Sequence, residues 1–233
     1  FHLHGWDKEP TNYRKQIELC DAQILAQVQR FEDRSNSGTG TPPPPPDHPP
    51  RKNEITFDAA AQAYRVTGAD LTKIEGIQGH TALLIISEMG RDVSHWPTSK
   101  HFTSWLGLCP MSRISGGKRL RHRHTPPNAN RIAQALKVSA QTLHHSRSFL
   151  GAFYRRLAAR IGKAEAIKAT ARQLALRVYN VLKYGSDYVD KGEEYYQQTY
   201  RDRVLKTLNR TAKNLGYRLV KDEPQSAPQP QTA

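Results

Sequence analysis

At 233 residues and 26.4 kDa the chain is long enough for one or two domains with a buried core. Its apolar content is only 37%, and the strongest apolar run, Ala82-Leu83-Leu84-Ile85-Ile86, is far too short to cross a bilayer, so no membrane span is expected. A formal charge of +14 and a pI near 9.9 call for a polyanionic partner, nucleic acid or an acidic surface. Cys20 and Cys109 lie far apart with no metal-ligand spacing, as for two free thiols in a reducing cytoplasm.

Thr11 to Glu32 reads as a helix whose apolar residues Tyr13, Ile17, Cys20, Ile24, Val28 and Phe31 fall three or four apart. So narrow a stripe suits a coiled-coil-like partner helix, and self-association is expected through it. Ser35 to Asn53 is low in complexity and contains an unbroken proline run from Pro42 to Pro46, the composition of a spacer. The segments are therefore a coiled-coil-like helix (1–34), a Pro-rich linker (35–54), a helical domain (55–220) and a tail (221–233) whose Pro/Gln/Ser composition reads as disordered. The fold class is mainly all-α.

From Asp70 to Gly90 the pattern is that of a helix-hairpin-helix. Asp70 can cap the first helix, Gly76 and Gly79 allow a tight turn, and Ala82, Leu83 and Ile86 bury the second helix. Backbone amides around Gly76 and Gly79, ahead of a helix N-terminus, can hold a DNA phosphate without reading a base. An ordinary helical hairpin would show the same residues.

The densest chemical signal follows Trp105-Leu-Gly-Leu-Cys-Pro110. Ser115-Gly-Gly-Lys118 stands among Arg113, Arg119, Arg121, His122, Arg123 and His124. A hydroxyl set beside glycines and surrounded by cations suits attack on, or grip of, a phosphodiester. The only expected strands flank Gly116-Gly117. From Arg113 to Lys183, a stretch that includes Arg131, the only acid is Glu165; a solvated helix face normally mixes signs.

Further helices are expected near Ala129 to Ser148 (Ile132, Leu136, Ala140 and Leu143 inward) and over Phe149-Phe153-Leu157-Ile161 up to Gly162. Two more run from Lys163 to Tyr184 (Ile167, Ala171, Leu174, Val178, Val181) and from Glu193 to Leu215 (Tyr196, Tyr200, Val204, Leu208, Ala212). The carboxylates Asp58, Asp70, Glu75, Glu88 and Asp92 read as caps and solvated positions. The histidines lack the spacing of a metal site.

In order, the hairpin, Phe102-Thr-Ser-Trp-Leu-Gly-Leu-Cys-Pro110, Ser115-Gly-Gly-Lys118, Leu150-Gly-Ala-Phe-Tyr-Arg-Arg-Leu157 and Lys168-Ala-Thr-Ala-Arg-Gln-Leu174 resemble the C-terminal half of insertion-sequence one-ten family transposases. That family includes the Piv-type DNA invertases. The likeness runs from about Asp70 to Val220, and the upstream helix and linker resemble the family's coiled-coil region.

The resemblance implies a bacterial cytoplasmic enzyme of DNA transposition. In it, a RuvC-like domain with a DEDD acidic set binds metal, and the C-terminal domain supplies a serine that attacks DNA. By its place in the motif that serine is Ser115, with Ser112 as the neighbouring alternative. Arg113, Lys118, Arg119, Arg121, Arg123 and Arg131 would then hold phosphates, and a structured guide RNA joins DNA among the expected partners.

The chain opens on Phe1 and carries no acidic domain, so it reads as part of a longer polypeptide. No cofactor is expected within it, and Mg2+ is assigned to the domain upstream. Two other classes stay open on the residues alone. One is a non-catalytic DNA- or RNA-binding module; the other is a structural oligomerisation protein whose basic face meets an acidic partner.

Overall fold

The computed structural model describes residues 9–36, 41–49, 54–90, 92–109, 114–115, 118–119, 130–185 and 192–220. Their regular elements are helices but for one very short strand pair. The expected tail, 221–233, lies outside them.

Helix α1 (Glu9–Gln29) carries the expected stripe, but ends before Phe31. Val28 alone of that stripe is buried, while Tyr13, Ile17 and Ile24 stand 65%, 57% and 43% exposed. The segment 41–49 has no helix or strand, as its prolines dictate. Helix α2 (Ala59–Thr67) starts at Asp58, whose carboxylate accepts from the Ala61 amide at 2.9 Å, and stops at Gly68 in the left-handed conformation.

The expected first helix of the hairpin is only a single 3-10 turn, Leu71–Lys73. Asp70 caps it as foreseen, accepting from the Thr72 amide at 2.9 Å and the Thr72 hydroxyl at 2.6 Å. Ile74 is then extended and Gly76 has φ +86°, so the chain leaves helical geometry within a few residues. Helix α3 (Gly79–Met89) does bury Ala82, Leu83 and Ile86, against α2 and α5 (Arg131–Thr142).

Helix α4 (Ser99–Trp105) is short but seated in an aromatic group. Trp96 meets Phe102 edge-on with ring centres 5.1 Å apart, and Phe102 lies 5.8 Å from Tyr179. After the strands β1 (Ile114–Ser115) and β2 (Lys118–Arg119), α5 buries Ile132, Leu136 and Ala140 as expected, and the fourth expected residue, Leu143, is buried in the 3-10 turn (Leu143–His145) that closes it.

Helix α7 (Lys163–Tyr184) is the axis of the domain, packed on α4, α5 and α6 (Phe149–Ile161). Leu174, Ala175 and Val178 are fully buried. Burying a side chain the size of Leu174 or Val178 contributes about 1.5–3 kcal/mol.

The inner face of α6 departs from expectation by one residue. Leu150, Gly151 and Tyr154 are buried, whereas Phe149, Phe153 and Leu157 are half-buried and Ile161 is exposed. The reason is that α6 has neighbours on two sides: α7 on one, and on the other α8 (Gly192–Asn214), which receives Phe149 and Phe153. No residue of α8 is buried.

Candidate nucleic-acid interface

The backbone around Ser115 forms the strand pair that the glycines suggested. β1 and β2 run antiparallel, with Ile114 opposite Arg119 and Ser115 opposite Lys118. Directly opposed residues in such a ladder have α-carbons about 4.5–5.5 Å apart. The candidate nucleophile and the first cation of the motif are therefore cross-strand neighbours. Arg113, Arg121 and Arg123, and the alternative Ser112, lie outside the described residues.

The described residues that precede and follow this hairpin in the chain are held in place. On the entry side the Leu106 amide bonds the Phe102 carbonyl, Gly107 turns with φ +65°, and the Leu108 amide returns to the Thr103 carbonyl at 3.0 Å. Leu106 and Leu108 are buried, and the Thr103 hydroxyl lies 3.2 Å from the Cys109 sulfur. On the exit side the Asn130 side chain accepts from the Ala133 amide at 3.1 Å and caps α5. The helices nearest to it in the chain, α4 and α5, both pack on α7.

The chain leading into α4 is held by a bond network at the C-terminal end of α7. The Tyr179 hydroxyl donates to the Trp96 carbonyl at 2.6 Å, and the Lys183 ammonium donates to Tyr179 and to the Pro97 carbonyl, each at 2.8 Å. Chiefly through the Tyr179 bond, the Lys183 amine is held above its ordinary pKa, so it stays charged.

Gly76 and Gly79 have a packing role independent of any ligand. A β-carbon on Gly79 would lie 2.7 Å from the Ala60 backbone nitrogen, and one on Gly76 would press on the Ser139 carbonyl and Leu143. Gln78 precedes α3 without a capping side-chain bond, so the first-turn amides have no side-chain acceptor there. They border a cavity of about 710 Å³ shared with Pro46, His48, Glu54 and Asp58. Two carboxylates in that lining oppose an anion.

Arg131, in the first turn of α5, pairs with Glu88 of α3 at 3.1 Å and is otherwise largely exposed. Much of the one-signed run is similarly engaged. Arg155 pairs with Glu193 at 2.7 Å, Lys168 with Glu165 at 3.1 Å, and Arg177 bonds the Gln173 carbonyl while facing the Phe149 ring. Among the described residues no group of three His, Cys, Asp or Glu side chains could hold a metal ion. No helix among them is long and apolar enough to cross a membrane.

Residues 68–155 match the model of the IS116/IS110/IS902 transposase family, from the end of α2 through the hairpin into α6. This region is similar to the transposase domain of that family. The 43.6 kDa protein of insertion element IS110 from Streptomyces coelicolor is similar, 28% identical over 141 residues. The aligned stretch is 59% of this chain but 34% of that relative, so the chain spans about a third of the relative's length. The matched transposase segment brackets the Ser115 hairpin, α4 and α5. Sequence reasoning missed one feature outside it: Arg203, Lys206, Arg210 and Lys213 of α8, whose three-and-four spacing is plain in the sequence.

Proposed function

We propose that this chain is the DNA-handling and strand-joining region of an insertion-sequence transposase, with Ser115 as the group that attacks DNA. The observation that carries it is the register of Ser115 opposite Lys118, on a hairpin enclosed by the family match. The Ser115 hydroxyl gives up its proton to water as its oxygen bonds to phosphorus and the bond from phosphorus to one neighbouring sugar oxygen breaks. That sugar oxygen leaves as a hydroxyl, taking up a proton. Arg113, Lys118, Arg119, Arg121 and Arg123 hold the phosphate and offset the charge that builds on its oxygens. Arg131 serves as a contact for flanking DNA, and the amides around Gly76 and Gly79 are weaker candidates for that role because Glu54 and Asp58 line the same cavity.

A RuvC-like acidic domain outside these 233 residues completes the reaction, Mg2+ belongs with it, and a guide RNA selects the DNA. Self-association through α1 would bring copies together. The test uses a complete transposase carrying this region, denatured during reaction to trap protein joined covalently to DNA. Ser115→Ala should abolish the adduct while DNA binding stays near the parent level. A normal adduct from Ser115→Ala removes Ser115 from the role. DNA binding with no adduct from the parent itself would favour a binding module instead.

A further inference from the structure

The first half of α8 is docked on α6 through contacts that advance together along both helices. Phe149 and Phe153 meet Tyr196 edge-on with ring centres 4.9 and 6.2 Å apart, and further along the Arg156 guanidinium lies over the Tyr200 ring. The two helices thus run parallel, and the next turn brings Arg160 of α6 toward Arg203 of α8. The Tyr196 phenol senses this: burial pushes its pKa up, against the opposing pull of Arg156, Arg203 and Arg160. Three guanidinium groups from two helices gather around one tyrosine.

Past Arg203 the cations continue as Lys206, Arg210 and Lys213. Their spacing of three, four and three puts them on one face of the helix over about 15 Å. All are exposed, as are Arg156 and Arg160, and none has a carboxylate within ion-pairing distance among the described residues. The nearby acids are otherwise engaged: Glu193 with Arg155, and Asp202 with the Gln198 amide. Like charges three and four apart on a helix repel, so the array has no rationale within the fold itself.

We propose that this ridge, Arg156 and Arg160 of α6 with Arg203, Lys206, Arg210 and Lys213 of α8, grips the phosphate backbone of duplex DNA. It would be a contact surface on elements other than those of the Ser115 hairpin and outside the matched segment, and it rests on the nucleic-acid reading of the protein. Its length is comparable to the width of the DNA major groove, about 12 Å, so a straight helix can lay its cations against successive phosphates. Tyr196 is packed against the rings of Phe149 and Phe153 and one face of Tyr200 is taken by Arg156, so both aromatics are engaged within the fold and neither is a free platform for an unpaired base. The hydroxyls of Thr207 and Thr211 are committed to backbone carbonyls of their own helix. The ridge therefore suits a duplex backbone better than a single strand.

The experiment titrates the 233-residue chain against labelled duplex DNA by fluorescence anisotropy at several salt concentrations, with duplex RNA of equal length in parallel. The variants are the triple Arg203→Gln, Lys206→Gln, Arg210→Gln and the single Lys206→Glu, both checked for parental helicity by circular dichroism. Losing three phosphate contacts should make the log–log salt dependence shallower by about 2–3 units, and the single variant should lose about one. Parent binding to DNA with slopes unchanged in both variants would overturn the ridge while leaving the transposase reading intact. A parent that fails to bind duplex DNA at low salt would overturn both. A slope change seen on RNA alone would overturn the assignment to DNA.

Discussion

The Arg65 guanidinium donates to the Val28 carbonyl at 2.6 Å, closing the C-terminal end of α1 from a neighbouring helix. A second bond reaches the Phe31 carbonyl at 3.1 Å, and the Arg34 amide returns to the Arg65 carbonyl at 2.8 Å. Helix α1 has no basic residue in its own last turn, so the cation that complements its dipole comes from α2. Buried Asp21 adds a second tie, accepting from the Thr56 amide at 3.0 Å. The stripe helix is thus fastened to the helical domain at its end, while its exposed apolar residues point elsewhere.

Arg65→Gln should therefore loosen the end of α1 and cost about 1–3 kcal/mol, the range for hydrogen bonds made by a charged donor. Hydrogen exchange of amides from Val28 to Arg34 should rise while exchange in α7 stays low. Equal protection in the variant would show that the carbonyls of α1 do not depend on this guanidinium.

Gly151 and Gly79 are required by close approach. A β-carbon on Gly151 would fall against the Ser146 carbonyl oxygen and 2.9 Å from that of Leu143. These are backbone atoms in a turn that also supplies the Ser148 cap of α6, so neither side can yield cheaply. Gly151→Ala and Gly79→Ala should each lower stability by about 1–3 kcal/mol, read from denaturant midpoints. Gly162→Ala meets no neighbour but carries φ +90°, so it should cost through backbone strain alone. Equal losses in a helix-content assay and a core-packing assay would separate global destabilisation from local fraying.

The sequence was most legible where one periodicity faced the shared core. The inner faces of α5 and α7 appear as Ile132, Leu136, Leu174 and Val178, because each of these helices turns one apolar stripe to a single core. It was less legible at α6, where two neighbours widen the apolar arc until a four-residue stripe no longer identifies the buried face. The hairpin's first helix was overcalled because Asp70 caps a 3-10 turn with the same bonds it would use on an α-helix. At the candidate site, composition could reveal a hydroxyl among cations and the strand pair around two glycines. It could not reveal that Arg131 is met by Glu88, or that Gly79 touches Ala60, since both partners are distant in sequence.

Exposure of Tyr13, Ile17 and Ile24 keeps the partner-helix expectation open to a direct test. If a second copy covers this stripe, apolar burial drives association. Ile17→Lys with Ile24→Lys should then shift the mass from light scattering toward monomer at micromolar concentration without changing helix content. A parent that is already monomeric there would show that the stripe does not serve self-association.

Acid should release α8 from α6 before the core is affected. Glu193 is held below its usual carboxylate pKa mainly by the bond to Arg155, and Arg155 in turn braces the His144 and Ser146 carbonyls. For a carboxylate with a lowered folded pKa, the stabilisation is present above the unfolded value, about 4.3, and is lost as pH falls through the folded one. Docking should thus be insensitive to pH between about 5 and 8 and weaken in the acid range below 4. Because Phe149 and Phe153 pack on Tyr196, the near-ultraviolet tyrosine signal reports the docking. Glu193→Gln should show the weakened signal already at neutral pH and lose this acid step. An identical acid profile in Glu193→Gln would show that the α6–α8 contact rests on its aromatic rings and not on the ion pair.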